Sequence, residues 1–178
     1  MVSKTIFSSL ERRPILISLT VLFFGFNFLL KHFISAEYAL DLKFAYSVDQ
    51  AYQAIGSLSK SELNMYQFGI WALDFPYMVV YGLLATGLLF KLWRNKKVVF
   101  VPLFIVLFDA LENILISQLL ENFPERHEDL AIFASVFTTF KWVSVSFLIF
   151  LLLWGITKFY KREKLEHTKS LKPEMKNY

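Results

Sequence analysis

Four runs of about twenty mostly apolar residues, at about 14–33, 67–90, 98–120 and 130–154, dominate this chain. A helix needs roughly 20 apolar residues to cross the hydrocarbon core of a bilayer, and each run meets that length. Lipid offers no hydrogen bonds, so a spanning segment must pair its backbone internally, as a helix does. The expectation is an all-α fold, a four-transmembrane-helix bundle. Pro14 suits the first turn of its helix, where an amide would be unpaired anyway. The chain is 56% hydrophobic and holds 20 phenylalanines, most of them inside these runs. That exceeds the apolar content of a soluble domain. The division read from the pattern is a transmembrane domain over 1–160 and a charged tail over 161–178.

Charge orients the helices. Lys4, Arg12 and Arg13 precede the first run, and Lys91, Arg94, Lys96 and Lys97 separate the second from the third. The tail adds Lys158, Lys161, Arg162, Lys164, Lys169, Lys172 and Lys176. The opposite connections carry Glu37, Asp41, Asp49, Glu62, Glu121, Glu125, Glu128 and Asp129 against only Lys31, Lys43, Lys60 and Arg126. By the positive-inside rule both termini are cytoplasmic. The net charge of +4 therefore reflects topology and lipid contact, not nucleic-acid binding. Cysteine is absent, which excludes disulfides and thiolate-ligated metals. A cleaved signal peptide competes for the first run, with Ile34-Ser35-Ala36 as its cleavage site. That run is longer than the roughly 7 to 15 residues of a signal-peptide core, which argues against cleavage.

The segment from Ser35 to Tyr66 is too long for a tight turn. Ser47-x-x-Gln50 and Ser59-x-x-Glu62 are capping boxes, in which side chains satisfy the free amides of a helix start. Val48, Ala51, Tyr52 and Ile55 form an apolar stripe that Gly56 can end. The expectation is a short external amphipathic helix between helices 1 and 2, apolar face down, serving as a packed connector or as a lid over a cavity. The second spanning helix is expected to begin near Ser59. The tail after Tyr160 is expected to be a brief helical extension that frays.

Asp74, Asp109, Glu112 and Lys141 lie deep within the apolar runs. Each costs about 2.5 to 3.5 kcal/mol at the centre of a span, so each should face a protein interior and find partners. At 1.5 Å per residue, Asp74 and Glu112 lie about two turns below the outer ends of their helices. Asp109 lies about one turn deeper, and Lys141 about three turns into the fourth helix. All four thus fall near one level. Their faces also converge. Asp109, Glu112 and Asn113 share one face of the third helix. Gln67, Asp74 and Tyr81 are spaced by seven, with Tyr77 beside them, and Ser135, Thr138, Lys141 and Ser144 step by three. The first helix offers Asn27, with His32 and Glu37 above it. Pro76 lacks an amide and crowds the carbonyl of Ala72, so the backbone should open beside Asp74.

Three carboxylates and one amine in low dielectric do not all ionise together, and Lys141 is expected to pair with a carboxylate. Such groups suit acid/base work or proton carriage. The candidate catalytic set is Asp74, Asp109, Glu112 and Lys141, with Asn113, Tyr77, Tyr81, Thr138 and Asn27 as substrate-binding candidates. The bland alternative is a set of polar ties that fix helix register. Hard oxygen ligands could hold a divalent cation, but no His-x-x-x-His or Glu-x-x-His pairing supports one. No cofactor or metal is called for, and there is no phosphate loop or serine-nucleophile motif. Trp93 and Trp154 sit where interface anchors belong, and Trp142 reads as packing against lipid.

Leu73-Asp74-Phe75-Pro76-x-x-x-x-Tyr81 and the later Asp109-x-x-Glu112-Asn113, with the Asp41-Leu42-Lys43-Phe44 and Tyr46 region, resemble small bacterial four-helix membrane proteins without an assigned activity. The resemblance implies a bacterial inner-membrane location and no catalytic roles. Three functions remain. The first is a carboxylate-rich polar cavity that binds, or acts on, a lipid-like or amphiphilic molecule. The second is a non-catalytic accessory or assembly subunit. The third is a small proton- or cation-coupled transporter. Membrane lipids are the expected partners, and a homo-oligomer or a membrane partner protein stays open.

Overall fold

The computed structural model describes residues 8–34 and 37–171, and among them it is helical with no strand. Helix α1 covers Arg13–Phe33. A 3₁₀ turn at Leu40–Leu42 leads to α2, Val48–Gly56. Helix α3, Lys60–Gly69, passes through a π-helical turn at Ile70–Asp74 into α4, Phe75–Trp93. A second 3₁₀ turn, Lys96–Val99, precedes α5, Phe100–Asn122, and α6 runs over Glu128–Leu171. Four stretches are long and apolar enough to cross a membrane: Arg13–Phe33, Lys60–Trp93, Lys96–Asn122 and Glu128–Lys161.

Both capping boxes form. The Gln50 amide nitrogen of the backbone donates to Ser47 Oγ at 3.2 Å, and the Ser47 amide donates back to Gln50 Oε1 at 2.9 Å. The Ser59 amide likewise donates to Glu62 Oε2 at 2.8 Å, so α3 begins at Lys60 as expected. Helix α6 runs well past Trp154 into the basic segment, which carries lysine, arginine, glutamate and leucine, all good helix formers. It continues to Leu171 where fraying was expected; residues 172–178 lie outside the described residues. Ser35 and Ala36 of the candidate cleavage site lie outside them too.

The chain direction alternates along the four long stretches. Tyr52 Oη, donating to the Glu125 carbonyl, marks one end, called here the loop end. Trp93 Nε1, donating to the Leu151 carbonyl, marks the other, the tail end. Helices α5 and α6 pack most closely, and α4 rests on both. Helix α1 packs on α3 and α4 and makes no close packing along α6. Its outward side chains Val21, Phe24 and Phe28 are 66 to 73% exposed. Such a face is costly in water and comfortable in hydrocarbon.

The apolar face of α2 does not lie open. Ala51, Tyr52, Ala54 and Ile55 join Leu119, Leu120, Ala131 and Ala134 in one cluster, so α2 is a packed connector on the ends of α5 and α6. At the tail end α1 approaches α4 closely. A Cβ on Gly87 would lie 2.8 Å from the Leu10 carbonyl oxygen, while one on Gly25 would meet nothing within 4 Å. Gly87→Val is therefore expected to lower stability by about 1 to 3 kcal/mol through overpacking, and Gly25→Val far less. Unfolding of the two variants in the same detergent checks this.

Candidate functional site

The site starts from a local backbone fault. Pro76 cannot donate an amide hydrogen bond, and the turn before it widens, with the Phe75 amide bonding to the Ile70 carbonyl five residues back. The wider turn keeps Tyr66, Ile70, Asp74 and Met78 buried along one face. The spacing of seven predicted Gln67 there; the π turn brings Tyr66 inward instead and leaves Gln67 only half-buried beside it.

Helix α5 brings Asp109, Glu112 and Asn113 to the same level as Asp74, and α6 brings Lys141. Lys141 Nζ lies 3.1 Å from Asp109 Oδ1 and 2.5 Å from Glu112 Oε2. It also donates to the Asp41 carbonyl oxygen at 3.1 Å. The sequence pattern predicted a pairing with a carboxylate; the ammonium holds two, together with a backbone carbonyl. The other oxygen of each carboxylate is occupied as well. Tyr81 Oη donates to Asp109 Oδ2 at 2.7 Å, and Thr138 Oγ1 donates to Glu112 Oε1 at 2.6 Å. Asn113 Nδ2 donates to Asp74 Oδ2 at 2.5 Å.

A cavity of about 550 Å³ adjoins this cluster. Asn27, Asp74, Tyr77, Tyr81, Asp109 and Lys141 line its loop end. Toward the tail end the lining is apolar: Leu84 and Leu88 of α4, Ile105 of α5, and Val145, Leu148 and Leu152 of α6. Phe23 and Leu30 of α1 form the facing wall. From Lys141 to Leu152 the cavity follows α6 for about 16 Å at 1.5 Å per residue. It occupies the gap that α1 and α6 leave by not packing together.

The predicted residues thus divide. Asp74, Asp109, Lys141, Tyr77, Tyr81 and Asn27 line the cavity. Asn27 Nδ2 donates to Tyr77 Oη at 2.8 Å. Glu112, Asn113 and Thr138 are at most 1% exposed and stand behind the wall, where they hold Lys141 and Asp74 in place. Ser135 is spent on the connector, accepting from the Tyr46 amide at 2.9 Å. Among the described residues no His, Asp and Glu group is arranged to hold a metal. The space between Asp109 and Glu112 is taken by the Lys141 ammonium.

Two residues escaped the sequence reading as site residues. Asp41 sat among the acidic loop residues, yet its turn folds over the cavity as a roof. Its Oδ1 accepts from Tyr66 Oη at 3.2 Å, and its carbonyl accepts from Lys141 and from Trp142 Nε1, the latter at 3.2 Å. Burial pushes the Asp41 carboxyl above its ordinary value of 3.8, helped by the neighbouring Asp109 carboxylate and opposed by Lys141. Trp142, expected to pack against lipid, is half-buried and lines the cavity. The Asp41-Leu42-Lys43-Phe44 pattern was the available signal for the roof.

No protein-family model, curated protein or solved structure matches this chain.

Removing the ammonium leaves two buried carboxyl groups without their counter-charge. Lys141→Met is expected to cost about 3 to 5 kcal/mol of stability, read by unfolding in detergent. Asp41 gives a pH test. The folded protein keeps its proton at pH values where the unfolded chain has lost it. Its stabilising contribution is full below 3.8 and is lost as pH rises through the higher folded-state value. Asp41→Asn should abolish that decline, so the wild-type and variant stability profiles should differ in slope across this window.

Proposed function

We propose that this chain is a four-transmembrane-helix bundle of a cell membrane, with both termini cytoplasmic and α2 on the external side, that binds one amphiphilic molecule. The molecule's polar end sits by Asp74, Asp109, Tyr77 and Asn27, and its apolar part lies between α1 and α6. The single observation that carries this reading is the two-ended cavity, polar at the loop end and apolar for about 16 Å beyond it. Its volume of about 550 Å³ suits a single small lipid-like molecule. Entry would pass between α1 and α6, where the walls do not pack together and hydrocarbon is the surrounding solvent.

The line of contacts Tyr81–Asp109–Lys141–Glu112–Thr138 supports acid/base action on the bound molecule, because Asp109 and Lys141 stand on the cavity wall with Glu112 directly behind them. The tight pairing of Lys141 favours a second reading, an accessory subunit in which these charges only tie helices together. That reading has no need of the adjoining cavity. A transporter would need polar groups beyond Lys141 toward the tail end, where the lining is leucine, isoleucine and valine.

Val145→Trp places a bulky ring in the apolar limb without touching the polar end. Purified wild-type protein should carry a bound amphiphile detectable by native mass spectrometry, and Val145→Trp should fold but carry none. An empty wild type, or equal occupancy in both, would count against the proposal.

A further inference from the structure

Resting on the reading of the cavity as an amphiphile site, we infer that the polar end of the ligand is a protonated amine. The argument is an inventory of donors and acceptors. An ammonium has three N–H donors; Lys141 gives one to the Asp41 carbonyl and one to Asp109, and its Nζ also lies against Glu112 Oε2 in an ion pair. Its charge is therefore already committed to two carboxyl groups before any ligand anion arrives. Asp109 is spent too, with one oxygen on Lys141 and the other on Tyr81.

What remains for a ligand is mostly acceptor, with the Tyr77 hydroxyl as the donor among it. Asp74 is 8% exposed and lines the cavity; its Oδ2 takes Asn113, and among the described residues nothing bonds its Oδ1. Asp41 lines the cavity too, with its Oδ1 accepting from Tyr66. The Asn27 amide nitrogen is used twice, on the Phe23 carbonyl and on Tyr77, which leaves its oxygen.

Charge points the same way. Asp41, Asp74 and Asp109 line the cavity, and Glu112 stands directly behind it. Lys141 is the one ammonium within the cluster among the described residues, and Lys31 stands exposed at the rim. A phosphate or carboxylate head would meet three carboxyl groups on the cavity wall, with the Tyr77 hydroxyl as the donor left beside them and Lys31 only at the rim. A hydroxyl would bond but supply no charge to set against the acidic lining. A protonated amine supplies both donors and charge, in charge-assisted hydrogen bonds to Asp74 and Asp41. The rings of Phe23, Tyr77, Tyr81 and Trp142 beside them suit a cation as well.

Dodecylamine, dodecanol and dodecyl phosphate share one chain and differ only at the head. Their binding is measured on the full chain in nanodiscs of zwitterionic lipid, with Val145→Trp nanodiscs subtracted as the background for partition into lipid. The amine should bind at least about ten-fold more tightly than the alcohol, and the phosphate most weakly. Asp74→Asn should lower amine affinity about ten-fold while leaving the alcohol unchanged. Asp41→Asn serves as the second variant if Asp74→Asn does not fold. Equal binding of amine and alcohol, preference for the phosphate, or loss of amine and alcohol affinity together in the aspartate variants would overturn the amine while leaving an amphiphile site. Binding of no probe above the Val145→Trp background would instead sink the cavity reading itself.

Discussion

The Lys141 ammonium is the point to which the rest of the structure is tied. It joins α6 to α5 through Asp109 and Glu112, and it joins both to the turn after α1 through the Asp41 carbonyl. Buried away from water an unpaired ion is costly, so these three partners hold it in place. They set the register of α6 against α5, and they draw the Leu40–Leu42 turn down over the cluster. Tyr81, Thr138 and Trp142 then take the positions that satisfy the remaining atoms of the same groups.

The cavity is a consequence of that arrangement. With α4, α5 and α6 closed around the ion pairs, α1 is left to pack on α3 and α4 alone, and only Leu16 and Leu19 along it are buried. The space between α1 and α6 is roofed by the Asp41 turn and walled by apolar side chains farther down. Polar head and apolar limb therefore come from one geometric fact: the ion pairs lie near one end of the helices, and the residues beyond them toward the tail end are hydrocarbon.

Much of the fold could be read from the chain, for physical reasons that can be named. The four long helices follow from run length, because a bilayer leaves a long apolar segment no other way to pair its backbone. Ser47 and Ser59 marked two helix starts through local bonds spanning three residues. The shared face of Asp109, Glu112 and Asn113 followed from helical period alone. The same period failed at Gln67, because the π turn before Pro76 adds a step that spacing does not report. Asp41 was missed because a loop residue's destination depends on what closes over it, and Trp142 because an aromatic in an apolar run looks the same whether it faces lipid or a cavity.

The sequence by itself determined helix content, the caps, the break beside Asp74 and the presence of ionisable groups at one level, because each is local or arises from partition between water and lipid. Only the tertiary structure decided which carboxyl groups Lys141 holds, which polar side chains reach the cavity, and that a cavity exists between α1 and α6. Those are matters of how separate helices rotate and lean against one another, and no spacing along the chain encodes the angle between two helices.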